Sequence, residues 1–287
     1  WCTGVTMADV NGDGFLDFYV NRSGWFENPD QRRNSLFINN GDLTFTEQAE
    51  QYGIDDRGHS IHSVFFDIDQ DNDLDLYVGN HPIDFKEYLD EGLKNRKNPP
   101  PFASDQIYRN DGGHFVDISK EAGISNYGHT LGLIANDFDK DGLVDLFVSN
   151  DYNAPNFYYR NNGDGTFTDI GPKMLKHMDK FSMGVDAGDL NNDGLVDIFN
   201  TEMMAEDNQR QKTNMASMST EDFWTFVDND YGYQFMHNCL QLNNGNSPFS
   251  EIAYLSGVAT TDWSWSPLIA DFNNDGFKDL FVGNGYK

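Results

Sequence analysis

Five times along this chain, acidic and amide side chains stand at alternate positions of a nine-residue stretch that runs straight into an apolar segment. In one copy Asp137, Asp139, Asp141 and Asp145 occupy positions 1, 3, 5 and 9, Gly142 sits at position 6, and Leu146-Phe147-Val148 follows. The other copies are Asp9, Asn11, Asp13, Asp17; Asp67, Asp69, Asp71, Asp75; Asp189, Asn191, Asp193, Asp197; and Asp271, Asn273, Asp275, Asp279. Hard oxygen ligands at alternate residues, turned by a glycine, are how a short loop wraps Ca²⁺. Position 7 (Phe15, Asp73, Leu143, Leu195, Phe277) is expected to add its backbone carbonyl, with water completing the shell. Up to five Ca²⁺ ions, one per loop, are therefore expected; Mg²⁺ ranks second because it demands stricter geometry. The second copy has Asn72 at position 6, and Asn tolerates the left-handed backbone well enough to keep that site. An EF-hand is excluded. Its twelfth position needs a bidentate Glu, whereas Val20, Val78, Val148, Asn200 or Val282 stands there, and its loop enters a helix rather than a strand.

The loops begin at residues 9, 67, 137, 189 and 271. Two of the four spacings, 58 and 52, lie within the ~40–60 residues of a propeller blade, and the other two, 70 and 82, contain the longer connections. A strand leads into each loop (from Trp1, His59, His129, Phe181 and Trp263) and a second, alternating strand leaves it, as in Asp75-Leu76-Tyr77-Val78. In four repeats a third strand follows, such as Ser35-Leu36-Phe37-Ile38, and runs into an Asn-Gly or Asp-Gly turn suited to a tight hairpin. A fourth strand then begins near Phe45, Phe115, Phe167 and Phe249. The expected fold is all-β: a β-propeller of four-stranded antiparallel blades across 1–287, four blades and half of a fifth. A propeller closes to hide its edges, so a parent ring of six to eight blades, seven favoured, is expected. Two long connections interrupt the blades, 80–104 with a helical pattern (Phe85, Tyr88, Leu89, Leu93) and 201–237 with Met203, Met204, Met215, Met218, Trp224 and Phe226. Meander parity puts both insertions on the face opposite the metal loops.

The net charge is −28, which excludes a nucleic-acid partner. Aromatics at 14% argue against disorder as the source of the acidity. Five Ca²⁺ would bring the charge to about −18. Cys2 and Cys239 match no zinc or redox spacing, and sequence leaves open whether they are free or paired. No apolar run approaches the ~20 residues that cross a bilayer. With no initiating Met, the chain reads as an excerpt of a longer secreted or surface protein.

The Asp-x-Asp/Asn-x-Asp-Gly-x-x-Asp motif with an apolar strand after it, five copies over nearly the whole chain, resembles the FG-GAP/VCBS repeats of integrin-α-type β-propellers. The Asn161-to-Phe167 turn and the Ala122-Gly123-Ile124 segment look more like a bacterial branch that often carries a C-terminal ASPIC/UnbV domain. The stretch from Glu206 to Lys212, with Thr260 to Trp265, is similar to Bacteroidetes surface proteins of that branch. The resemblance implies a calcium-binding propeller, extracellular or associated with the outer membrane, and implies no reaction.

Eight residues before each first ligand stand Trp1, His59, His129, Phe181 and Trp263. Each is expected to begin a strand nearest the propeller axis, so the five would ring the channel mouth on the insertion-bearing face. Rings around a concavity suit sugar faces or a protein side chain; they also serve as packing plugs. No His-Glu-x-x-His, Gly-x-Ser-x-Gly, P-loop or Cys-x-x-Cys motif occurs, so no catalytic residue is assigned. The leading function is a non-enzymatic binding or adhesion module for a glycan or protein partner. A polysaccharide lyase or hydrolase and a purely structural scaffold are the alternatives.

Overall fold

A computed structural model describes residues 1–82, 99–100, 102–152, 154–214 and 219–285. The helical pattern at Phe85, Tyr88, Leu89 and Leu93, together with Met215 and Met218, lies outside the described residues. The chain is all-β, built of four-stranded antiparallel sheets in the manner of propeller blades. Among the described residues no helix is long and apolar enough to cross a membrane. Two compact units share the chain, Trp1–Ala135 with Asn161–Thr168, and Asn136–Arg160 with Asp169–Lys287.

In the first unit, β1 (Cys2–Ala8), β2 (Asp17–Arg22), β3 (Ser35–Asn39) and β4 (Phe45–Glu47) form one sheet in chain order. A single helical turn, α1 (Ala49–Tyr52), ends at Gly53. The next sheet repeats the order with β5 (His59–Phe66), β6 (Asp75–His81), β7 (Gln106–Asn110) and β8 (Phe115–Asp117), and β9 (His129–Asn136) follows. The alternation read into the second strands has a different outcome in different blades. β2 alternates buried and half-buried residues, whereas every residue of β6 is buried. The reason is packing on both faces. One core joins Tyr19, Leu36 and Ile38 of the first sheet to Leu76, Val78 and Tyr108 of the second. Polar residues on β6 are therefore kept only with partners: Asn80 N–H donates to Asp105 Oδ1 at 2.7 Å, and Tyr77 donates to Asp105 Oδ2 at 2.7 Å.

The second unit begins inside the third repeat. β10 (Asp145–Asp151) pairs antiparallel with β11 (Phe157–Asn161); β12 (Phe167–Asp169) falls mostly in the first unit, and helical turn α2 (Gly171–Met174) in the second. A short parallel bridge joins β13 (Met178–Asp179) to β16 (Gln234–Phe235). The fourth blade is β14 (Gly184–Gly188), β15 (Asp197–Thr201), β17 (Cys239–Asn244) and β18 (Ser247–Glu251), followed by the turn α5 (Ala253–Ser256). The insertion between β15 and β17 carries α3 (Asn208–Asn214) and α4 (Thr220–Asp228). Ser219 caps α4 by accepting from Asp222 N–H. β19 (Ser264–Ala270) and β20 (Asp279–Asn284) end the chain as a pair.

Inner strands of neighbouring blades meet backbone to backbone. A Cβ on Gly4 would lie 2.4 Å from the Ile61 carbonyl oxygen, and one on Gly184 would lie 2.2 Å from that of Trp265. Both glycines stand five residues before a first loop position, so the same step of the blade needs the same bare backbone. Gly4→Ala and Gly184→Ala are each expected to destabilise by about 1–3 kcal/mol. Gly283→Ala, whose Cβ would meet nothing nearer than 3.5 Å, is the control in urea unfolding.

Candidate functional site: the aspartate loops and the aromatic positions

Each loop is held by its own backbone. In the first, Asp9 takes the N–H of Asp13 on Oδ1 (3.0 Å) and of Gly14 on Oδ2 (2.8 Å), and Asp13 takes that of Phe15 (2.9 Å). The fourth and fifth loops repeat this on Asp189 and Asp193 and on Asp271 and Asp275. The third does so on Asp137 and Asp141. In the second, Asp67 takes the N–H of Gln70 and Asn72, and Asp71 takes that of Asp73.

Position 6 is left-handed in every loop, Asn72 included (φ 72°). Position 4 is too: Gly12, Gln70, Lys140, Asn192 and Asn274 all have φ between 58° and 72°. Gly12, Asn192 and Asn274 suit that twist, but Gln70 and Lys140 are poor left-handed residues, at a cost of roughly 1–2 kcal/mol each. Strain of this kind persists where surrounding bonds fix the backbone, and it clusters at ligand sites. The coil gathers the side chains of positions 1, 3 and 5. Carboxylate oxygens of Asp67, Asp69 and Asp71 lie within 4.8 Å of one another, as do those of Asp137, Asp139 and Asp141. Burial, and then the charges of Asp141 and Asp137, hold the Asp139 carboxyl above its usual range.

Position 9 stands apart. Asp17, Asp75, Asp145 and Asp197 are fully buried at the head of the second strand. Asp17 accepts Val10 N–H on Oδ2 (2.9 Å) and Asn39 N–H on Oδ1 (2.9 Å). Asp75 does the same for Ile68 and Asn110, and Asp197 for Leu190 and Asn243. Burial raises Asp75 to about 7. The Asn ending the third strand is thus part of the loop assembly. Asn39 and Asn110 also donate to the position-8 carbonyls of Leu16 and Leu74. Sequence marks these residues only as turn formers.

The five aromatic and imidazole positions are divided between the units, Trp1, His59 and His129 in the first, Phe181 and Trp263 in the second. Trp1 is 83% exposed. His59 is buried beneath the ring of Trp25 (5.7 Å), itself 75% exposed, with Nδ1 3.2 Å from Ser23 Oγ. His129 is buried with its ring 5.3 Å from that of His81, whose Nε2 donates to the Thr130 carbonyl at 3.0 Å. Phe181 precedes β14 by three residues instead of beginning it, because the chain is held just upstream in the β13–β16 bridge. Its ring meets Tyr152 edge-on at 6.4 Å, and the Lys180 ammonium lies 5.0 Å above it. Trp263 is half-buried and donates its backbone N–H to Asp262. Trp25, His81 and Tyr152 join these positions through pairings that sequence spacing does not express.

Burial lowers His59, and it lowers His129 to about 4; burial, followed by the charge of His129, takes His81 to about 3. A histidine depressed in the folded state costs stability once pH falls below the unfolded value of about 6.5. The raised Asp75 and Asp105 carboxyls (both about 7) act oppositely, favouring the fold as pH falls below 7. Comparing His81→Gln with the parent isolates the first effect. The stability lost between pH 6.5 and 4.5 is expected to shrink by about 1–2 kcal/mol in the variant, read from denaturant midpoints at each pH.

An FG-GAP-like repeat model matches residues 9–78, 137–199 and 223–282, more than half of the chain. The chain is 29% identical to cartilage acidic protein 1 of Homo sapiens over 322 residues, covering 98% of this chain and 47% of that protein. It is 24% identical to the Xenopus tropicalis cartilage acidic protein 1 over 324 residues, 98% of this chain and 48% of that protein. It therefore spans about half the length of the curated relatives it matches. A solved Agrocybe aegerita lectin structure, described as recognising non-reducing terminal N-acetylglucosamine, overlays with a TM-score of 0.48 at 18% identity, covering 98% of this chain and 61% of the lectin.

Proposed function

Since the chain belongs to the FG-GAP-like repeat family, we propose that it is a calcium-stapled extracellular binding module for a glycan or protein partner, not an enzyme. The observation that carries the reading is the convergence of three carboxylates within 4.8 Å in the second and third loops, on the doubly left-handed backbone that all five loops share. Carboxylate and amide oxygens at positions 1, 3, 5 and 9 with a carbonyl at 7 are a hard donor set, which fits Ca²⁺ better than a soft metal. Extracellular modules of this kind hold Ca²⁺ in the ~0.1–1 mM range, which matches an exterior rather than a cytosolic location. The ion's part is structural: it offsets like charges and ties the first strand of each blade to the second.

Recognition falls to the face bearing the insertions, opposite the loops. Trp25 over His59, and Tyr152 against Phe181, each give an exposed ring on a fixed support. Such rings match the apolar face of a sugar or an aromatic side chain. The enzyme alternative would rest on Asp179 and Glu202, raised mainly by burial to about 6 and 8. They are 2% and 0% exposed, which closes them to a polymer substrate. A longer parent chain with an ASPIC/UnbV domain, on a bacterial outer surface, is the assembly in which this module best fits.

Two measurements test the reading. EDTA is expected to lower the melting temperature by several degrees, each site held at ten times its Kd contributing ~1.4 kcal/mol. The calcium gain should be larger at pH 8 than at pH 5.5, where protons compete for Asp75. An absent calcium response by calorimetry ends the calcium reading. On a glycan and protein-partner array, Trp25→Ala with Tyr152→Ala should cut signal at least tenfold; unchanged binding removes these rings from recognition.

A further inference from the structure

The fourth blade holds a second kind of ligand set, away from the aspartate loops. His237 lies on the bend just before β17, and Cys239 begins that strand. Glu251 pairs across the ladder with Gln241, which places it on the same face as Cys239 and diagonal to it. A nitrogen of His237, the Cys239 sulfur and a carboxylate oxygen of Glu251 lie within 4.8 Å of one another. Cys239 is 0% exposed and His237 8%.

From this constellation we propose that His237, Cys239 and Glu251 form a site for one borderline-soft divalent cation of the Zn²⁺ class. Sulfur with imidazole nitrogen selects such a metal over Ca²⁺, and three protein ligands leave a fourth position for water. The imidazole is oriented for the task. Nδ1 lies 2.6 Å from the Asn238 carbonyl, which can only accept, so the proton sits on Nδ1 and Nε2 keeps the lone pair. Phe235 (6.0 Å) and Tyr254 (4.9 Å) flank the ring and fix its plane.

Comparison with the first blade separates ligand from scaffold. Glu47 accepts from Leu36 N–H and Ala49 N–H through Oε1, as Glu251 does from Leu240 N–H and Ala253 N–H. Those bonds are the blade's ordinary clamp, and they leave Glu251 Oε2 over. At the other two places the first blade has Arg33, ion-paired with Glu50 and Asp55, and Ser35. The fourth blade replaces the arginine by an imidazole and the hydroxyl by a thiol. It thereby exchanges a built-in cation for ligands that need one. Nearby, Glu202 is 0% exposed, and its Oε1 has no hydrogen-bond partner among the described residues.

The test uses the whole 287-residue chain, stripped with chelator and returned to millimolar Ca²⁺, titrated with Co²⁺ as the spectroscopic stand-in and then Zn²⁺. One equivalent should bind despite excess Ca²⁺, with a thiolate-to-cobalt charge-transfer band that Zn²⁺ abolishes. Cys239→Ser should lose the band and Cys2→Ser keep it. Glu251→Gln retains the acceptor for both backbone N–H groups, so it should fold normally yet bind at least ~10-fold more weakly, as should His237→Gln. No stoichiometric binding by the parent chain, a band that survives Cys239→Ser, or full affinity in Glu251→Gln overturns the site. Displacement by Ca²⁺ also overturns it, and none of these results bears on the aspartate loops.

Discussion

One buried carboxylate per blade sets the geometry on which the rest of the structure depends. Asp17, Asp75 and Asp197 each receive one backbone N–H from the loop that precedes them and one from the end of the third strand. A single side chain thus closes loop to hairpin at one end of the sheet. Leaving either donor unpaired in a buried place would cost roughly 1–3 kcal/mol, so the acid at position 9 is needed whether or not a cation is bound. Positions 1, 3 and 5 differ in kind. They sit on exposed backbone, crowd like charges, and are organised by two left-handed residues per loop, of which only Gln70 and Lys140 are types that disfavour that conformation.

That division explains which parts of the chain could be read without coordinates. Alternate aspartates followed by Phe-Tyr-Val or Leu-Tyr-Val announce loop and strand together, since both are local patterns with their own spacing. The order of four strands per blade follows from the Asn-Gly turns for the same reason. The full burial of β6 was not legible. Asp75-Leu76-Tyr77-Val78 alternates just as Asp17-Phe18-Tyr19-Val20 does, and only packing on both faces distinguishes them. Helix α4 was also hidden: Thr220 to Asp228 carries Phe223, Trp224 and Phe226 inside an insertion whose length gave no period to follow.

Side-chain sites divide along the same line. The aspartate loops are contiguous in sequence, so their spacing is visible there, but the Asn residues that tie them to the third strand are not marked by it. His59 was placed correctly at a strand start, but its neighbour Trp25 comes from a connection between two earlier strands, and His81 reaches His129 across separate sheet positions. The His237–Cys239 pair was passed over because no zinc spacing includes it. Its third member arrives through strand pairing, and strand pairing is a tertiary fact.

The two kinds of cation site proposed for this fold then have a common physical origin. A propeller blade buries polar groups at both ends of its central strands, and an acidic chain has few arginines or lysines to place there. Where Arg33 is available, the first blade neutralises its carboxylates internally. Elsewhere burial favours the protonated carboxyl, as at Asp105, Asp179 and Glu202, or carboxyls converge where the proposed cations would sit. Protonation suffices for one isolated acid, because a neutral carboxyl can still accept hydrogen bonds. It does less for three oxygens converging within a single turn of chain: backbone N–H groups hold the loop's shape, but protons would leave no common centre among the carboxyls. A divalent ion would supply that centre, and the donor atoms of each proposed site would decide which ion it is.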